Sequence, residues 1–298
     1  MGAVAVSRPD KLLFTDPDVS KAALADYFRT VADAMLPHLR DRPLALQRFP
    51  DGVGGQGFFQ KRRPGSAPEW VRSVELPREG EGDTIEMLCC PDSGSLVYLA
   101  DQAVVTIHPW LSTVSHPHHP VRLIVDLDPP GDDFATVRLA ALALRDLLDE
   151  LGLPGYPMTT GSRGMHVTVP LSGRQDFDEV REFARGVADV LAARHPDRLT
   201  TEVRKDGRHG RLFLDTLRNA YAQHAVAPYS PRPIRGAPVA TPLDWDEVTD
   251  QRLTARRYTI DTIPDRLSGT TDPWQGINRH ARSLTGPRRT LDRLLEEM

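Results

Sequence analysis

The sequence predicts an α/β protein, because short apolar strands alternate with amphipathic helices along the chain. The clearest strand lies in residues 121–134, VRLIVDLDPPGDDF, where an apolar, β-favouring run stops at a Pro-Pro-Gly turn. Two helical patterns follow at residues 135–151 and 177–194, each with its apolar side chains on one stripe. The 298 residues, of which 40% are hydrophobic, suffice for a sizeable core.

The remaining elements show either the apolar spacing of a helix or the apolar run or alternation of a strand. Apolar positions recur at helical spacing through residues 16–41, where Asp18 or Ser20 can cap a helix and Pro37 is expected to kink or end it. Residues 70–107 alternate like the strands of a mixed sheet. We predict strands at residues 43–49, 71–76, 84–89, 104–108, 156–160, 165–169 and 212–215, and helices at 96–103 and 277–298. The stretch 241–248 starts a further short helix, with Asp244 as its cap.

The charge balance does not indicate a protein that binds nucleic acid through bulk charge. Acidic residues number 41 against 37 basic ones, so any nucleic-acid contact must come from local basic patches. The two cysteines, Cys89 and Cys90, are adjacent and cannot form a disulfide framework, which fits a reducing, cytoplasmic setting. We expect no signal peptide, and no apolar run approaches the ~20 residues of a membrane span.

Two carboxylates, Asp126 and Asp128, lie inside the clearest strand and project from the same face, because they are two residues apart. Like charges at the end of a buried strand repel each other unless a cation lies between them. A hard divalent ion, Mg²⁺ or Mn²⁺, prefers such oxygen ligands. The alternative is ordinary turn chemistry, with a following aspartate capping the next helix. A later strand also ends on an acid, Asp215, which is the expected third ligand.

Two further stretches have the composition of nucleotide or nucleic-acid contacts. The turn at residues 161–164, GSRG, has the glycines, hydroxyl and arginine of a phosphate cradle, although a plain hairpin turn has the same composition. In FFQKRRP, aromatic faces suited to base stacking precede three cations. The alternative interpretation of this stretch is that its aromatic side chains pack in the core beside a solvated basic turn. On a strand Phe58 and Phe59 would point to opposite faces, so one of them can enter the core while the other stays available.

A zinc site is conceivable from the two cysteines and the nearby histidines. The histidine-rich segment SHPHHP, residues 115–120, matches no zinc spacing that we can defend, and we expect it to form a surface loop.

The order of these motifs resembles that of the archaeo-eukaryotic primase superfamily. More closely, the chain resembles the polymerase module of bacterial DNA ligase D, which acts in non-homologous end joining. The resemblance covers Pro9 to Ala281 and is carried by RPLALQRFPDG, FFQKR, VDLDPP, TGSRGMHV, LFLDTLRN and APYSPR. It implies a two-lobed α/β primase-polymerase fold with an RRM-like sheet carrying the acids. We expect one catalytic domain over residues 1–298, with a template-contacting lobe at about 1–110 and a catalytic lobe at 111–298.

The resemblance also implies roles for individual residues. The metal-binding acids, which hold two divalent cations (Mn²⁺ or Mg²⁺), match Asp126, Asp128 and Asp215. The nucleotide-binding positions match Thr160, Ser162, Arg163, His166, His108 and Arg232, and of these His108 lies near the sugar. The DNA-binding positions match Phe58, Phe59, Lys61, Arg48 and Arg208, the two aromatic residues facing the template base.

The sequence departs from that family in three places. Ligase D modules often have Lys-Arg where this chain has Gln47 and Arg48, which puts recognition of a 5′-phosphate in question unless Lys61 substitutes. The position three after the third acid is often Gln and is Arg218 here. A ligase half would need a K-x-D-G lysine, and in RKDG the lysine, Lys205, stands one place too late. We therefore expect a polymerase module whose products another protein seals.

The implied function is template-directed nucleotidyl transfer at DNA gaps or 3′ overhangs, from ribo- or deoxynucleoside triphosphates. The implied partners are Ku protein and a separate DNA ligase, in a cytoplasmic, nucleoid-associated setting without a membrane. Three alternatives remain open. They are a primase-polymerase of replication or base repair, a metal-dependent nucleotide phosphohydrolase that uses the same acids, and a non-catalytic module that binds gaps.

Overall fold

A computed structural model of the chain describes residues 4–78 and 82–298. The first three residues, which belong to the N-terminal stretch where no signal peptide is expected, lie outside the described residues. The chain divides into two compact units. We call them the N-terminal unit (Met1–Ser115, His224–Thr241 and Tyr258–Asp272) and the acid-bearing unit (His116–Gln223, Pro242–Arg257 and Pro273–Met298). Within the described residues, no helix combines the length and apolar character needed to cross a bilayer.

The elements of the first 115 residues are short. They are β1 (Leu12–Thr15), β2 (Asp18–Ser20), α1 (Lys21–Thr30), α2 (Ala32–Leu39), β3 (Leu44–Arg48), β4 (Phe58–Gln60), β5 (Ser73–Pro77), β6 (Thr84–Leu88), α3 (Ser93–Asp101), β7 (Val104–Pro109) and β8 (Ser112–Thr113).

Longer elements follow, interrupted by 3₁₀ helices at Lys205–Arg208 and Ile277–His280. They are β9 (His116–Pro120), β10 (Arg122–Asp128), α4 (Phe134–Glu150), β11 (Tyr156–Thr159), β12 (Met165–Pro170), α5 (Phe177–Arg194), β13 (Leu199–Thr200), β14 (Leu212–Asp215), β15 (Thr241–Pro242), α6 (Trp245–Thr249), α7 (Ile263–Gly269) and α8 (Thr285–Glu296).

The single helix predicted over residues 16–41 is wrong. Asp18 lies in β2, and Ser20 caps α1 by accepting from the amide of Ala23 at 3.2 Å. The helix breaks at Val31, whose φ of −91° and ψ of 1° lie outside the helical range, and α2 then continues through Pro37. The apolar spacing runs unbroken across the break, because both helices bury the same stripe, and this spacing concealed the boundary.

Three other local predictions for residues 70–120 need correction. Strands β5 and β6 form a separate two-stranded antiparallel sheet and do not join a mixed one. Helix α3 begins at Ser93, before the predicted start, because the Asp92 carboxylate accepts from the amide of Ser95 at 2.8 Å and caps it. The SHPHHP segment is strand β9 and not a loop, although His116 and His118 are exposed on it.

The acid-bearing unit is built on a sheet with the strand order β13-β14-β10-β12-β11-β15. Strand β10 runs antiparallel to both of its neighbours, and all but its last residue are buried. Helices α4 and α5 pack on this sheet. Asp133 caps α4, and Asp176 forms a reciprocal capping box with Glu179 on α5. The predicted positions of β10, α4, β12, α5 and β14 are confirmed to within about a residue.

Candidate active site

Three carboxylates share one face at the centre of the acid-bearing sheet. In the pairing of β10 with β14, Asp126 lies opposite Asp215 and Asp128 lies opposite Phe213. Residues opposite each other on antiparallel strands project from the same face, and so do residues two apart on one strand. Asp126 is buried with 8% exposure, and the other two are half-buried. The structure therefore brings the three predicted acids together.

A histidine flanks this group on the other side. His166 on β12 lies opposite Asp126 on β10, and its Nε2 is 3.4 Å from Asp126 Oδ2. The ring is 3% exposed. Asp126 therefore has a carboxylate neighbour on one strand and an imidazole neighbour on the other, which fixes its position within the sheet.

Three guanidinium groups contact the acids. Arg218 Nε donates to Asp126 Oδ2 at 2.9 Å. Arg163 and Arg208 each place a terminal nitrogen 3.3 Å from a different oxygen of Asp128. The sequence singled out Arg218 only as a departure from the family pattern, and its pairing with Asp126 was not predicted. The acid face is thus bordered by positive charge from three separate segments.

The ionisation of the acids differs with these surroundings. Burial alone would raise the pKa of Asp126, but His166 and Arg218 outweigh it and hold the pKa well below its usual range. Burial raises the pKa of Asp215, and the charges of Asp126 and Asp128 raise it further. The amide of Leu217 donates to Asp215 at 2.8 Å and partly opposes this rise. Asp126 therefore stays ionised, while the pKa of Asp215 is raised chiefly by burial.

The donor chemistry of the acid face fits a hard divalent cation. Carboxylate oxygens are the ligands that Mg²⁺ and Mn²⁺ prefer, and three carboxylates lie on one face of the sheet. As the side chains stand in the described part of the chain, no three acidic, histidine or cysteine groups are arranged to hold a metal ion. Asp126 and Asp128 instead contact arginines.

The predicted phosphate turn lies directly against β10. Thr160 donates from both its amide and its hydroxyl to the Gly164 carbonyl at 3.0 Å, and its hydroxyl accepts from the amide of Ser162 at 3.3 Å. A Cβ on Gly164 would lie 2.0 Å from the Leu127 carbonyl oxygen. Only glycine allows so close an approach of two backbones. The hydroxyl of Thr160 shapes this turn, and Arg163 is exposed at its tip.

A residue that the sequence did not indicate supports the same turn. Arg256 Nε donates to the Ser162 carbonyl at 2.8 Å. It belongs to a stretch without a recognisable motif, so only the folded chain could reveal the contact.

Arg208 is held in place on several sides. Its Nε and Nη2 donate to the carbonyls of Glu202 and Val203 at 3.1 and 2.9 Å, and its guanidinium stacks 3.9 Å above the Phe213 ring. These contacts orient the remaining nitrogen toward Asp128. The predicted phosphate-facing arginine therefore lies at the acid face of its unit.

Neither of the two adjacent phenylalanines enters the core. Phe58 is 46% exposed and Phe59 is 51% exposed. They lie on β4, a three-residue strand at the edge of the sheet β4-β3-β7, where little covers either face. The Arg48 guanidinium lies 5.6 Å from the Phe58 ring centre. Both rings therefore remain partly exposed on the N-terminal unit.

Phe59 belongs to a cluster of three rings. Its ring centre lies 5.3 Å from that of His108, on β7, and 5.6 Å from that of His224. The two histidine rings are 5.2 Å apart. The structure therefore places His108 beside the predicted stacking residue. His224 was not predicted, because a single histidine in a loop has no distinguishing pattern.

The predicted cations of the N-terminal unit differ in their surroundings. Arg48 is half-buried. Its Nε donates to the Gln102 carbonyl at 2.7 Å, and its Nη1 donates to Gln60 Oε1 at 2.6 Å. Lys61 is exposed, and Arg232 is partly buried. Arg48 therefore buttresses β4 from within the protein, whereas Lys61 presents its charge to solvent.

Comparison with known proteins gives consistent results. The family model described as "LigD, primase-polymerase domain" matches residues 20–274. The bifunctional non-homologous end joining protein LigD of Bacillus subtilis is 34% identical over 87% of this chain and 41% of its own length. The multifunctional LigD of Mycolicibacterium smegmatis is 33% identical over 89% of this chain and 34% of its own length. The chain thus spans about two-fifths or less of these relatives.

A solved structure of a LigD polymerase domain is also similar to this chain. The polymerase domain from Mycobacterium tuberculosis ligase D, in complex with DNA, superimposes with a TM-score of 0.86 and 30% identity. The match covers 94% of this chain and 99% of that one. It confirms the α/β primase-polymerase fold and the polymerase class that the ordered motifs predicted. The chain belongs to the primase-polymerase domain family of LigD proteins.

Proposed function

We propose that this chain is a template-directed nucleotidyltransferase that fills gaps and extends 3′ ends of DNA during non-homologous end joining. The observation that carries the proposal is the opposition of Asp126 and Asp215 on neighbouring strands, with Asp128 on the same face. Family membership supports it, since the curated relatives are named as end-joining proteins and the solved relative is a polymerase domain bound to DNA.

Asp126, Asp128 and Asp215 would hold two divalent cations, Mn²⁺ or Mg²⁺. When bound, such ions lower the pKa of an attacking hydroxyl and neutralise a leaving pyrophosphate. The protein's own contribution is to place the three carboxylates on one face of the sheet and to keep Asp126 ionised. The sheet register does the first, and the contacts of Asp126 with His166 and Arg218 do the second.

The turn at residues 160–164 would bind the triphosphate of the incoming nucleotide. Its backbone is fixed by Thr160 and by Arg256, so Ser162 and Arg163 are held in position before the nucleotide arrives. A preorganised donor loses little entropy when it binds, and a guanidinium forks onto phosphate oxygens. Arg163 is the exposed cation at this turn and would make that contact. His166, fixed against Asp126, would contact the same phosphates.

The N-terminal unit would contact the DNA and the nucleotide sugar. Phe58 and Phe59 expose aromatic faces on which template bases can stack, independently of sequence. Lys61 would bind a DNA phosphate, including the 5′-phosphate of a gap, and His108 would contact the ribose. Arg232 and Arg208 would bind further phosphates. A nucleoid-associated cytoplasmic protein of this kind would act with Ku and a separate DNA ligase.

Gap filling on a 5′-phosphorylated gapped duplex tests the proposal. We expect Asp126→Ala and Asp128→Ala each to lower the rate at least ~10³-fold, about 4 kcal/mol of transition-state stabilisation. Arg185→Gln, on the exposed surface of α5, should leave the rate unchanged. Activity that survives in both aspartate variants rejects the assignment.

The same assay separates the alternatives. Release of inorganic phosphate from nucleotides without a template would identify a phosphohydrolase. Tight gap binding without nucleotide incorporation would identify a recruiting module. De novo primer synthesis on single strands would favour a role in replication or base repair.

A further inference from the structure

We propose that Arg218 is a built-in counter-cation of the acid face, which holds Asp126 when no metal is bound and weakens the affinity of the site for divalent ions. The inference rests on the proposed function, because it takes the three acids to be metal ligands. Arg218 would then help to set the affinity of the acid face for metal ions, in addition to any structural role of its segment.

The first support is the contact itself. Arg218 Nε donates to Asp126 Oδ2 at 2.9 Å, and the same oxygen lies 3.4 Å from His166 Nε2. The oxygen that a metal ion would use is therefore already shared by a guanidinium and an imidazole. A dication at normal oxygen-ligand distance would lie close to the Arg218 guanidinium, and the two positive charges would repel each other.

The second support is the way in which Arg218 is held. The residues on either side of it are fixed. The amide of Leu217 donates to Asp215 at 2.8 Å. The side chain of Asn219, fully buried, accepts from the amide of Ile124 at 2.9 Å and donates to its carbonyl at 2.7 Å. The backbone of Arg218 is thereby tied to both strands that carry the acids.

The third support is the exposure of the side chain. Arg218 is 37% exposed, whereas Asp126 is 11% exposed at its side chain. The guanidinium can therefore rotate toward solvent while its backbone stays anchored. The fixed backbone and the movable tip together allow the arginine to leave Asp126 when a metal ion binds and to return when the ion dissociates.

Mn²⁺ binding to the full chain, followed by electron paramagnetic resonance of the free ion, tests the inference without reference to activity. We expect Arg218→Gln to bind Mn²⁺ at least about tenfold more tightly than the wild type, a gain of about 1.4 kcal/mol. Arg218→Lys keeps the charge and should remain within about threefold of the wild type. Arg185→Gln removes an equal charge from an exposed position on α5 and should have wild-type affinity.

One control variant separates the failure of this inference from that of the proposed function. Asp126→Ala should abolish tight Mn²⁺ binding. If it does, and Arg218→Gln binds Mn²⁺ no more tightly than the wild type, the counter-cation role is wrong while the metal site stands. If Asp126→Ala binds Mn²⁺ as the wild type does, the metal site fails and the inference fails with it. Should Arg218→Gln not fold, Arg218→Met against Arg218→Lys gives the same comparison of neutral and charged side chains.

Discussion

Asp126 and Asp215 lie opposite each other on neighbouring antiparallel strands, so the sheet register places both side chains on the same face. A shift of one residue in this register would turn either side chain to the opposite face of the sheet. The chemistry proposed for the site therefore depends on interactions that fix β14 and its following loop against β10.

Asn219 is the side chain that fixes this register, and its loss should destabilise the protein. It is fully buried and makes hydrogen bonds to both backbone groups of Ile124 and to the Thr216 carbonyl. Asn219→Ala would leave buried backbone groups without partners, which costs roughly 2–3 kcal/mol. Chemical denaturation measures the change. Gln223→Ala, at an exposed position, serves as the control. If Asn219→Ala lowers the free energy of unfolding by less than about 0.5 kcal/mol, as a surface substitution does, other interactions fix the register.

Gly164 should tolerate no side chain. A Cβ there meets the Leu127 carbonyl oxygen at 2.0 Å, so Gly164→Ala must push the phosphate turn away from β10. We expect a loss of about 1–3 kcal/mol in the free energy of unfolding, together with weaker nucleotide binding in a fluorescence titration. Gly286→Ala, on α8, meets nothing within 4 Å and is the matched control. Equal nucleotide affinity in the two variants would show that the turn does not bind the triphosphate.

The buried pair Lys21–Asp101 should make the stability of the N-terminal unit depend on pH. Burial would raise the pKa of Asp101, but hydrogen bonds from Lys21 and Ser7 lower it overall. A carboxyl group whose folded pKa is lowered stabilises the fold above its unfolded pKa, about 3.9, and loses that contribution as pH falls through the lower folded value.

We therefore expect Asp101→Asn to destabilise the protein by roughly 3 kcal/mol at pH 7, because Lys21 is left charged and buried. Thermal unfolding from pH 7 to pH 3 should show the difference from wild type shrinking as the pH falls. Asp26→Asn, an exposed aspartate of α1 paired with Arg29, should change little at any pH. A difference for Asp101→Asn that grows toward low pH would contradict the assignment.

Phe59 should contribute stacking energy to DNA binding. Alanine substitution of a base-stacking aromatic typically costs about 1–3 kcal/mol, so Phe59→Ala should weaken binding to a gapped duplex in a fluorescence anisotropy titration. The affinity of both proteins should fall steeply with salt, since phosphate contacts supply much of it. Trp70→Ala, an exposed aromatic of the same unit that packs on Tyr98, controls for loss of apolar surface. Equal losses in the two variants would remove the stacking role.

The sequence predicted the parts of the fold that depend on local periodicity. Strand β10 is an apolar run around Asp126 that ends just before Pro129, and α5 carries an apolar stripe, so both elements could be placed from the sequence. The break at Val31 could not, because the two helices bury one continuous stripe. The exposure of both phenylalanines followed from the position of β4 at a sheet edge, which no local pattern reveals.

The candidate site was predicted in its residues but not in its contacts. The motif order identified the three acids and the phosphate turn. The ion pair of Arg218 with Asp126 and the support of Ser162 by Arg256 join segments far apart in the chain. Such contacts depend on strand order and register, which spacing within a motif does not encode.

The most direct test of the acid site is the rate at which Asp215→Asn fills a single-nucleotide gap with Mn²⁺ present. This variant keeps the size of the side chain but removes one metal-binding charge opposite Asp126. We predict a fall of at least about 10³-fold with an unchanged denaturation midpoint, since ~4 kcal/mol of transition-state stabilisation would be lost. A rate within about twofold of the wild type, less than ~0.5 kcal/mol, would contradict the claim that these three carboxylates perform the chemistry.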